Sequence, residues 1–345
     1  MKSGIFFSAL AFVFGLGLPG NSRAAELVFF DDFETGAINL SYWNPQVYSP
    51  FDGATLVTES SGGPVRSGEF ALRIKLAVTD QTDPAGKHRS ELRPRPDPTR
   101  LSYRAPYGVP HIYEFSLYLP ADWQPDAPEI VAQWHGKPDR DAEGNEIEPY
   151  RSPPIALRMT YLEDSENPGN YLPAWNIVGH WDATAITPED QATVQTLTIL
   201  EPTDASGDLG TWVDWRFDVT WDFEPEGEGR VRVLKGGVEI ASYEGPNAFN
   251  DDEGPNSKIG IYKWNWPNNQ SEVELRVAYY DDVRIISEQS SIPALSEGGV
   301  GALVFSLATL GLALAPRQWK FAPLRPLPCP LRRRHPGTRP HPRAS

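Results

Sequence analysis

The 345-residue sequence carries a formal net charge of −15 at pH 7, and this acidic balance argues against general nucleic-acid binding. The single cysteine, Cys329, excludes a disulfide framework and a cysteine-based metal site within one chain. The 15 phenylalanines, 13 tyrosines and 11 tryptophans stand among 29 glycines and 34 prolines, a mixture that favours β-strands joined by many turns.

Residues 1–24 have the three-part layout of a secretory signal peptide. Lys2 precedes an apolar run from Ile5 to Leu18, and a short stretch ending in small residues leads to Ala24. The sequence therefore predicts cleavage near Ala24 and a secreted, periplasmic or cell-surface protein. An uncleaved membrane anchor is the alternative, but the apolar run is short for a bilayer span.

Residues 25–288 are predicted to form one all-β domain, since they show no internal repeat and no linker-like segment. Residues 113–119 alternate apolar and polar side chains, and residues 213–221 do the same. This period of two is typical of strands with one face on a core. Residues 235–237, Lys-Gly-Gly, predict a hairpin turn. The expected architecture is a sandwich of two antiparallel sheets.

Three strand-like segments, 88–93, 133–135 and 258–264, concentrate the chemically reactive side chains. Because alternate side chains of a strand share a face, each segment is expected to present one polar face. The members of these faces are Arg89, Glu91 and Arg93; Gln133 and His135; and Lys258, Gly260, Tyr262 and Trp264. On one concave sheet, these faces would form a cationic groove that contains a histidine and a tyrosine.

These residue types suit β-elimination of a 4-linked uronide, which requires removal of the C5 proton next to a carboxylate. Arg89 would bind that carboxylate through a paired fork, and Gln133 would add a neutral donor. Either His135 or Tyr262 would take the proton, and Tyr262 would protonate the leaving 4-oxygen. A cationic neighbour such as Lys258 or Arg89 is expected to lower the pKa of Tyr262.

A basic stretch supports an anionic substrate despite the acidic total charge. Between residues 87 and 104 the chain carries six lysines and arginines but only two acidic residues, Glu91 and Asp97. The stretch coincides with the proposed groove, so the local field would attract a polyanion.

The ordered trio Arg-Ser-Glu-Leu-Arg, Gln-Trp-His and Lys-Ile-Gly-Ile-Tyr resembles the pattern of jelly-roll polysaccharide lyases. The likeness spans residues 27–286 and is strongest to the heparin lyase I and glucuronan lyase group, with alginate lyases more distant. It implies a β-jelly-roll with a concave groove and four catalytic positions, Arg89, Gln133, His135 and Tyr262. Lys263-Trp264 follows where alginate lyases usually have Asn-Gln, which favours a glucuronate polymer.

Further substrate-binding residues are expected in and beside these segments. They are His88, Glu91, Arg93, Lys137, His180, Lys258 and Trp264. For His180 a structural role is the alternative, and for Trp264 packing at the rim or core. The expected partner is an anionic polysaccharide, namely glucuronan, heparin or heparan sulfate, or an alginate-like polymer. We expect no nucleic-acid partner, and we expect a monomer.

The chemistry requires no cofactor, and no metal ligand is expected in the groove. Two acidic clusters near the first and last strands would suit a structural Ca²⁺, with solvated charges as the alternative. Their members are Asp31, Asp32 and Glu34, and Asp281 and Asp282.

Residues 292–320 are predicted to be a sorting or transmembrane segment. The apolar run from Gly298 to Ala315 is barely long enough to span a bilayer, and Arg317 and Lys320 follow it. The segment resembles the bacterial C-terminal sorting tags that combine a motif, a membrane helix and a basic cluster, so membrane attachment is expected here. Residues 321–345, rich in proline and arginine, are predicted to be disordered.

Two other functions stay open from the residues alone. A glycoside hydrolase on the same fold would use two carboxyl groups about 5–10 Å apart. A non-catalytic carbohydrate-binding surface protein would use aromatic side chains without a proton-transfer pair. The residues also leave open the identity of the uronide, internal or terminal attack, and syn or anti elimination.

Overall fold

The computed structural model describes residues 24–48, 52–266, 271 and 273–289. These residues form two packed antiparallel β-sheets with two short 3₁₀ turns, Glu59–Ser61 and Ser206–Asp208. The predicted β-jelly-roll sandwich is confirmed. Within the described ranges, no helix is long and apolar enough to cross a bilayer. The predicted sorting segment and basic tail, and the signal peptide before Ala24, lie outside these ranges.

The strands of the two sheets follow one another along the chain. They are β1 Ala24–Asp31, β2 Trp43–Val47, β3 Ala54–Val57, β4 Ala71–Ala77, β5 His88–Pro94, β6 Pro110–Tyr118, β7 Glu129–His135, β8 Ile155–Glu163, β9 Tyr171–Trp181, β10 Gln195–Asp204, β11 Trp212–Thr220, β12 Arg230–Lys235, β13 Val238–Glu244, β14 Asn256–Lys263 and β15 Leu275–Gln289. The outer sheet has the order β13-β12-β11-β6-β15-β4-β3, with β1 also paired to β15. The second sheet has the order β10-β9-β8-β7-β14-β5-β2, and we call it the groove sheet because it carries the segments predicted to line the groove.

The alternating segments of the sequence become neighbouring strands of the outer sheet. Strands β6 and β11 pair in register along their whole length, from Trp212 opposite Tyr118 to Thr220 opposite Pro110. The predicted hairpin joins β12 to β13, and Gly236 and Gly237 adopt the positive φ angles, 57° and 79°, that its turn demands.

An aromatic core between the sheets decides which side chains of the groove sheet face outward. Trp134 is 1% exposed, and its ring centroid lies 4.6 Å from that of Phe217 on the outer sheet. Because neighbouring side chains on a strand point to opposite faces, this anchor turns Gln133 and His135 away from the core.

A β-bulge bends the groove sheet at its centre. The register of β14 against β7 shifts between Ile259 and Tyr262, and that of β7 against β8 shifts between Ile130 and Ala132. Gly260 within the shift has a φ of +128°, and a Cβ there would lie 2.3 Å from the carbonyl oxygen of Ser90. Only glycine fits this position, and bulges of this kind increase strand twist and re-aim side chains.

Candidate active site

The three chemically reactive segments are neighbours in the groove sheet, in the order β7-β14-β5. Across the two ladders Arg89 lies opposite Tyr262, and Lys258 lies opposite Gln133. His135 lies opposite Asn256 at the other end of β14. The sheet thus brings the predicted guanidinium, amide, imidazole and phenol onto one face.

A buried carboxylate organises the middle of this face. Glu91 is 1% exposed, and its Oε1 accepts a hydrogen bond from Nε2 of Gln133. Its Oε2 lies 3.2 Å from Nη1 of Arg89 and 3.9 Å from Nζ of Lys258. We refer to Arg89, Glu91, Gln133 and Lys258 as the groove cluster, in which one anion positions two cations and an amide.

Arg89 is held on two sides by the protein. Its Nε lies 2.6 Å from Oδ2 of Asp83, and its Nη1 pairs with Glu91. Its guanidinium carbon lies 4.2 Å from the ring centroid of Tyr262, in cation–π range. These two ion pairs occupy Nε and Nη1 of the guanidinium, which was predicted to bind the substrate carboxylate with two nitrogens. Nη2 is left for a ligand.

Tyr262 is half-buried, and no group in the described part of the chain bonds to its hydroxyl. Burial raises the pKa of Tyr262, and the positive charge of Arg89 opposes this only in part. The predicted lowering of this pKa is wrong in its net direction, because desolvation outweighs the cationic neighbour. The phenol keeps its proton at neutral pH and is a donor.

His135 has the opposite character. Its Nδ1 lies 2.8 Å from the carbonyl oxygen of Gly136, so the hydrogen bond places the proton on Nδ1 and a lone pair on Nε2. Burial, reinforced by the charge of Lys258, lowers the pKa of His135 to about 3, although the Gly136 bond acts against this. The imidazole is neutral at physiological pH and can accept a proton.

Several buried polar atoms of the groove have no hydrogen-bond partner within the described protein. They include Nε of Arg93, Oε1 of Gln133, Oε1 of Gln46, Oδ1 of Asn256 and Nε of Arg158. Burial also lowers the pKa of Lys258 to about 8, and Glu91 offsets this in part. An unsatisfied buried polar atom costs about 1–3 kcal/mol, so a polar ligand that bonded to these atoms would gain free energy.

The other predicted substrate-binding residues divide between the groove, its rim and the core. His180 lies on the groove face of β9, where its Nδ1 is 2.9 Å from the carbonyl oxygen of Pro153. Lys137 lies just past β7 and pairs with Glu253 at 3.1 Å. Trp264 faces the groove, with its ring centroid 6.0 Å from that of Tyr262.

The prediction that His88 lines the groove is wrong. His88 neighbours Arg89 on β5, so strand alternation turns it to the opposite face. Its side chain is 7% exposed, and its ring centroid lies 5.6 Å from that of Trp266. The sequence suggested a binding role for His88 because it directly precedes Arg89 in the reactive segment 88–93.

Sequence reasoning missed four contributors to the site. Asp83 anchors Arg89, and Arg104 donates from Nη1 to the carbonyl oxygen of His135 at 3.2 Å. Asn256 donates to the same carbonyl oxygen at 2.9 Å, and Arg158 joins the groove from β8. Arg104 lies in the basic stretch, which was a usable signal. The positions of Asn256 and Arg158 depend on strand pairing, and Asp83 lies in a loop without a motif.

The acidic clusters named for calcium are engaged by nearby protein donors. Asp31 accepts from the backbone of Phe33 at 2.8 Å and from the indole of Trp43 at 2.6 Å. Asp281 accepts from two backbone nitrogens, those of Arg66 and Ser67. Through these hydrogen bonds the carboxylates stabilise the local backbone. Calcium binding stays a prediction.

Three other carboxylates lie close together, with one oxygen of each within 4.8 Å of the others. They belong to Asp139, Glu148 and Asp251. Arg151 pairs with two of them, with 2.7 Å to Glu148 and 2.6 Å to Asp251. Asp251 also accepts from the backbone of Lys137, so this group fastens the loop that follows His135.

Comparison with known proteins supplies one family match. The family model described as "Polysaccharide lyase" matches residues 41–284. No curated protein matches the chain.

Solved structures of similar fold include three lyases. An endo-β-1,4-glucuronan lyase from the fungus Trichoderma reesei has a TM-score of 0.48 and 17% identity, covering 71% of this chain and 94% of that one. An alginate lyase from Pseudomonas aeruginosa has a TM-score of 0.42 and 17% identity, covering 72% and 99%. A marine alginate lyase from Zobellia galactanivorans has a TM-score of 0.39 and 16% identity, covering 72% and 96%. At these identities the likeness concerns the fold alone.

Proposed function

Because the chain belongs to the polysaccharide lyase family, we propose that it cleaves a 4-linked uronic-acid polymer by β-elimination at the groove cluster. Glucuronan is the preferred substrate in this proposal, ahead of heparin, heparan sulfate and alginate. The observation that carries it is a neutral imidazole and a protonated phenol on the same sheet face as a buried, cation-rich cluster.

The groove cluster would prepare the substrate for proton loss. A uronate is a weak carbon acid at C5 until the charge of its carboxylate is neutralised. Nη2 of Arg89 and the ammonium of Lys258 would supply that charge, and Gln133, held by Glu91, would add an amide group. Donors already oriented by the protein stabilise the enolate-like charge without reorganising during the reaction.

His135 is the base in this mechanism. Its Nε2 carries the free lone pair, because Nδ1 is committed to Gly136. Buried surroundings and the charge of Lys258 depress its pKa in the free enzyme. A bound carboxylate would offset that charge and raise the proton affinity of the imidazole at the moment when a base is needed.

Tyr262 is the acid. The C5–H electrons form the C4–C5 double bond, the bond from C4 to the glycosidic oxygen breaks, and that oxygen takes the phenolic proton. His135 holds the C5 proton and Tyr262 has lost one, so exchange with solvent restores both groups. The raised pKa of Tyr262 keeps the proton available at neutral pH.

Two features favour a glucuronate polymer. His135 and Tyr262 rise from one sheet face, which suits a uronate whose C5 hydrogen and 4-oxygen lie on the same side of the ring, as in D-glucuronate and D-mannuronate. This counts against L-guluronate and L-iduronate, and the choice between the two D-uronates rests on Trp264. Of the pair Lys263-Trp264 that departs from the alginate-lyase pattern, Lys263 is fully buried, so only Trp264 faces the groove. An indole there would stack on a sugar ring.

The test is a substrate screen followed by absorbance. Glucuronan, heparin, heparan sulfate and alginate are incubated with the protein, and unsaturated uronide is measured in the ultraviolet. We expect the fastest rise with glucuronan. New reducing ends without ultraviolet absorbance would indicate hydrolysis and overturn the proposal.

The two sequence alternatives fit the groove less well. A glycoside hydrolase needs free carboxyl groups on both sides of the bond. Glu91 is engaged by Gln133 and Arg89 instead, and Asp83, the other buried acid beside Arg89, pairs with that arginine. A binding protein without catalysis would not require an imidazole and a phenol on the same sheet face as the groove cluster.

Export, a single lyase domain at residues 25–288 and a monomeric state remain part of the proposal. An exported enzyme would meet its polymeric substrate outside the cell. Attachment to a membrane through residues 292–320 belongs to the same proposal, and fractionation of the native host's cells tests it.

A further inference from the structure

Arg158 lies on the groove face of β8, which pairs with β7 on the side away from β14 and β5. A row of strand pairs connects this arginine to the groove cluster: Arg89 lies opposite Tyr262, and Tyr262 lies opposite Ile130. Ile130 in turn lies opposite Arg158. Three strand spacings separate β5 from β8, so the Cα atoms of the two arginines stand about 14 Å apart along this row.

The charge of Arg158 has no protein counterion. Within the described ranges no carboxylate lies within salt-bridge distance of it, and its Nε is buried without a hydrogen-bond partner. Burial lowers the pKa of Arg158, and no neighbouring charge offsets that effect. The ring of Trp264, 5.3 Å away, holds the guanidinium in place. A partly buried cation in this state is costly unless a ligand supplies the anion.

The floor around Arg158 is apolar, and it extends toward Arg89 through Ile130 and Tyr262. Ile130, Ala156 and Val178 form a small hydrophobic cluster on the groove face, separate from the main core. Tyr262 and Trp264 pack against it. An apolar floor with a few placed charges at its ends is typical of ligand sites, and it suits the C–H faces of sugar rings.

We propose that Arg158 binds a second carboxylate of the polymer, on a sugar residue several units away from the cleaved bond. The inference rests on the proposed function, and it adds that the site selects long anionic chains through a second charged contact. The polymer crosses the strands along the row from Arg89 to Arg158. Arg158 touches no reacting atom; it is a substrate-binding residue that favours long anionic chains.

The test compares long and short substrates. Arg158→Gln is expected to raise KM for the polymer about tenfold while kcat stays within about twofold, since the lost contact is a charged hydrogen bond made equally in ground and transition states. KM for the shortest oligosaccharide that is cleaved should not change. The matched control is Arg216→Gln, because Arg216 lies on the outer sheet and pairs with Asp218 at 2.6 Å.

An equal rise in KM for short and long substrates, or the same rise in Arg216→Gln, would overturn the inference. Thermal melting shows whether each variant is folded, and Arg158→Met is the second variant because it keeps an unbranched apolar stem.

A binding measurement separates this inference from the proposed function. In a Tyr262→Phe background, adding Arg158→Gln should weaken affinity for the anionic polymer about tenfold. Unchanged affinity sinks the role of Arg158. Absence of any unsaturated product from the wild type would instead sink the elimination reaction, and the affinity comparison would still decide what Arg158 does.

Discussion

Two buried charge clusters share strands β7 and β14, and they differ in how completely their atoms are bonded. One is the groove cluster. The other, which we name the core cluster, consists of Asp126, Glu129, Lys263 and Arg276. Glu91 is 1% exposed and Glu129 is fully buried, so burial alone does not distinguish them.

The core cluster is complete. The ammonium of Lys263 donates to Asp126 at 2.7 Å, to Glu129 at 2.7 Å and to the carbonyl oxygen of Ala127 at 2.6 Å. Glu129 also accepts from Arg276 at 3.1 Å and from the indole of Trp123 at 3.1 Å. All three ammonium protons are used, which is what a buried cation needs to be tolerated.

The groove cluster is incomplete. The ammonium of Lys258 lies 3.9 Å from Glu91, beyond a direct hydrogen bond. Oε1 of Gln133 has no partner within the described protein, and neither does Nε of Arg93 beside the cluster. Similar residue types therefore form one fully bonded network, which stabilises the fold, and one network that keeps unpaired polar atoms.

The largest expected effect tests whether the groove does chemistry. Tyr262→Phe removes the proton donor while leaving the ring beside Arg89, so kcat should fall by about 10²–10⁴. Affinity for the polymer should be retained. Initial rates by ultraviolet absorbance and binding to the polymer measure the two effects. A loss of less than about tenfold in kcat would remove Tyr262 from the acid role.

The next effect concerns stability rather than rate. Lys263→Met leaves Asp126 and Glu129 without their shared cation and should lower the free energy of unfolding by about 3–5 kcal/mol. Denaturant titration measures it, and kcat/KM of the folded fraction should stay near the wild-type value. Lys258→Met is the matched variant, and we expect it to change stability little because its ammonium makes no direct hydrogen bond to Glu91. Equal destabilisation by both changes would break the comparison.

The contrast between the clusters was only partly predictable from the sequence. Strand alternation placed Gln133, His135 and Tyr262 on one face, and motif order indicated that they would meet. The same rule assigns Lys258 and Lys263 to opposite faces, since five positions separate them. These are local regularities, which a sequence displays directly.

What escaped prediction depends on pairing between distant strands. The bulge at Gly260 and the place of Arg158 follow from register across β14, β7 and β8, which no local pattern encodes. Asp83 reaches Arg89 from a loop without a motif. The pKa of Tyr262 was predicted in the wrong direction because the depth of burial is a property of the assembled sheet.

A smaller effect appears in substrate binding above neutral pH. Lys258, with a pKa lowered to about 8, loses its charge as pH rises through that value. KM for the polymer should therefore rise above pH 8, by about tenfold once the contact with the substrate carboxylate is neutral. Steady-state kinetics from pH 6 to pH 10 check this. Lys258→Met should already show the high KM at pH 7 and lose the dependence; a wild-type dependence that survives in this variant would assign it to another group.

The smallest effect is on acid stability, and it separates the clusters by pH. The pKa of His135 lies near 3, below its ordinary value of 6.5, so the neutral form stabilises the fold above about pH 6.5 and that contribution is lost as pH falls toward 3. Burial would raise the pKa of Asp126, but hydrogen bonds from Lys263 and Trp266 prevail and lower it to about 2. The contribution of Asp126 is therefore present above about pH 3.8 and lost as pH falls through about 2.

Melting temperature measured against pH distinguishes these two losses. His135→Asn should flatten the decline between pH 6.5 and pH 3, whereas Asp126→Asn should flatten it only below about pH 4. The groove therefore weakens first on acidification, because its imidazole is kept neutral among cations, and the core cluster follows when its carboxylate is protonated. If His135→Asn leaves the upper window unchanged, the imidazole is not buried among the cations as the groove geometry requires, and its assignment as the neutral base fails with it.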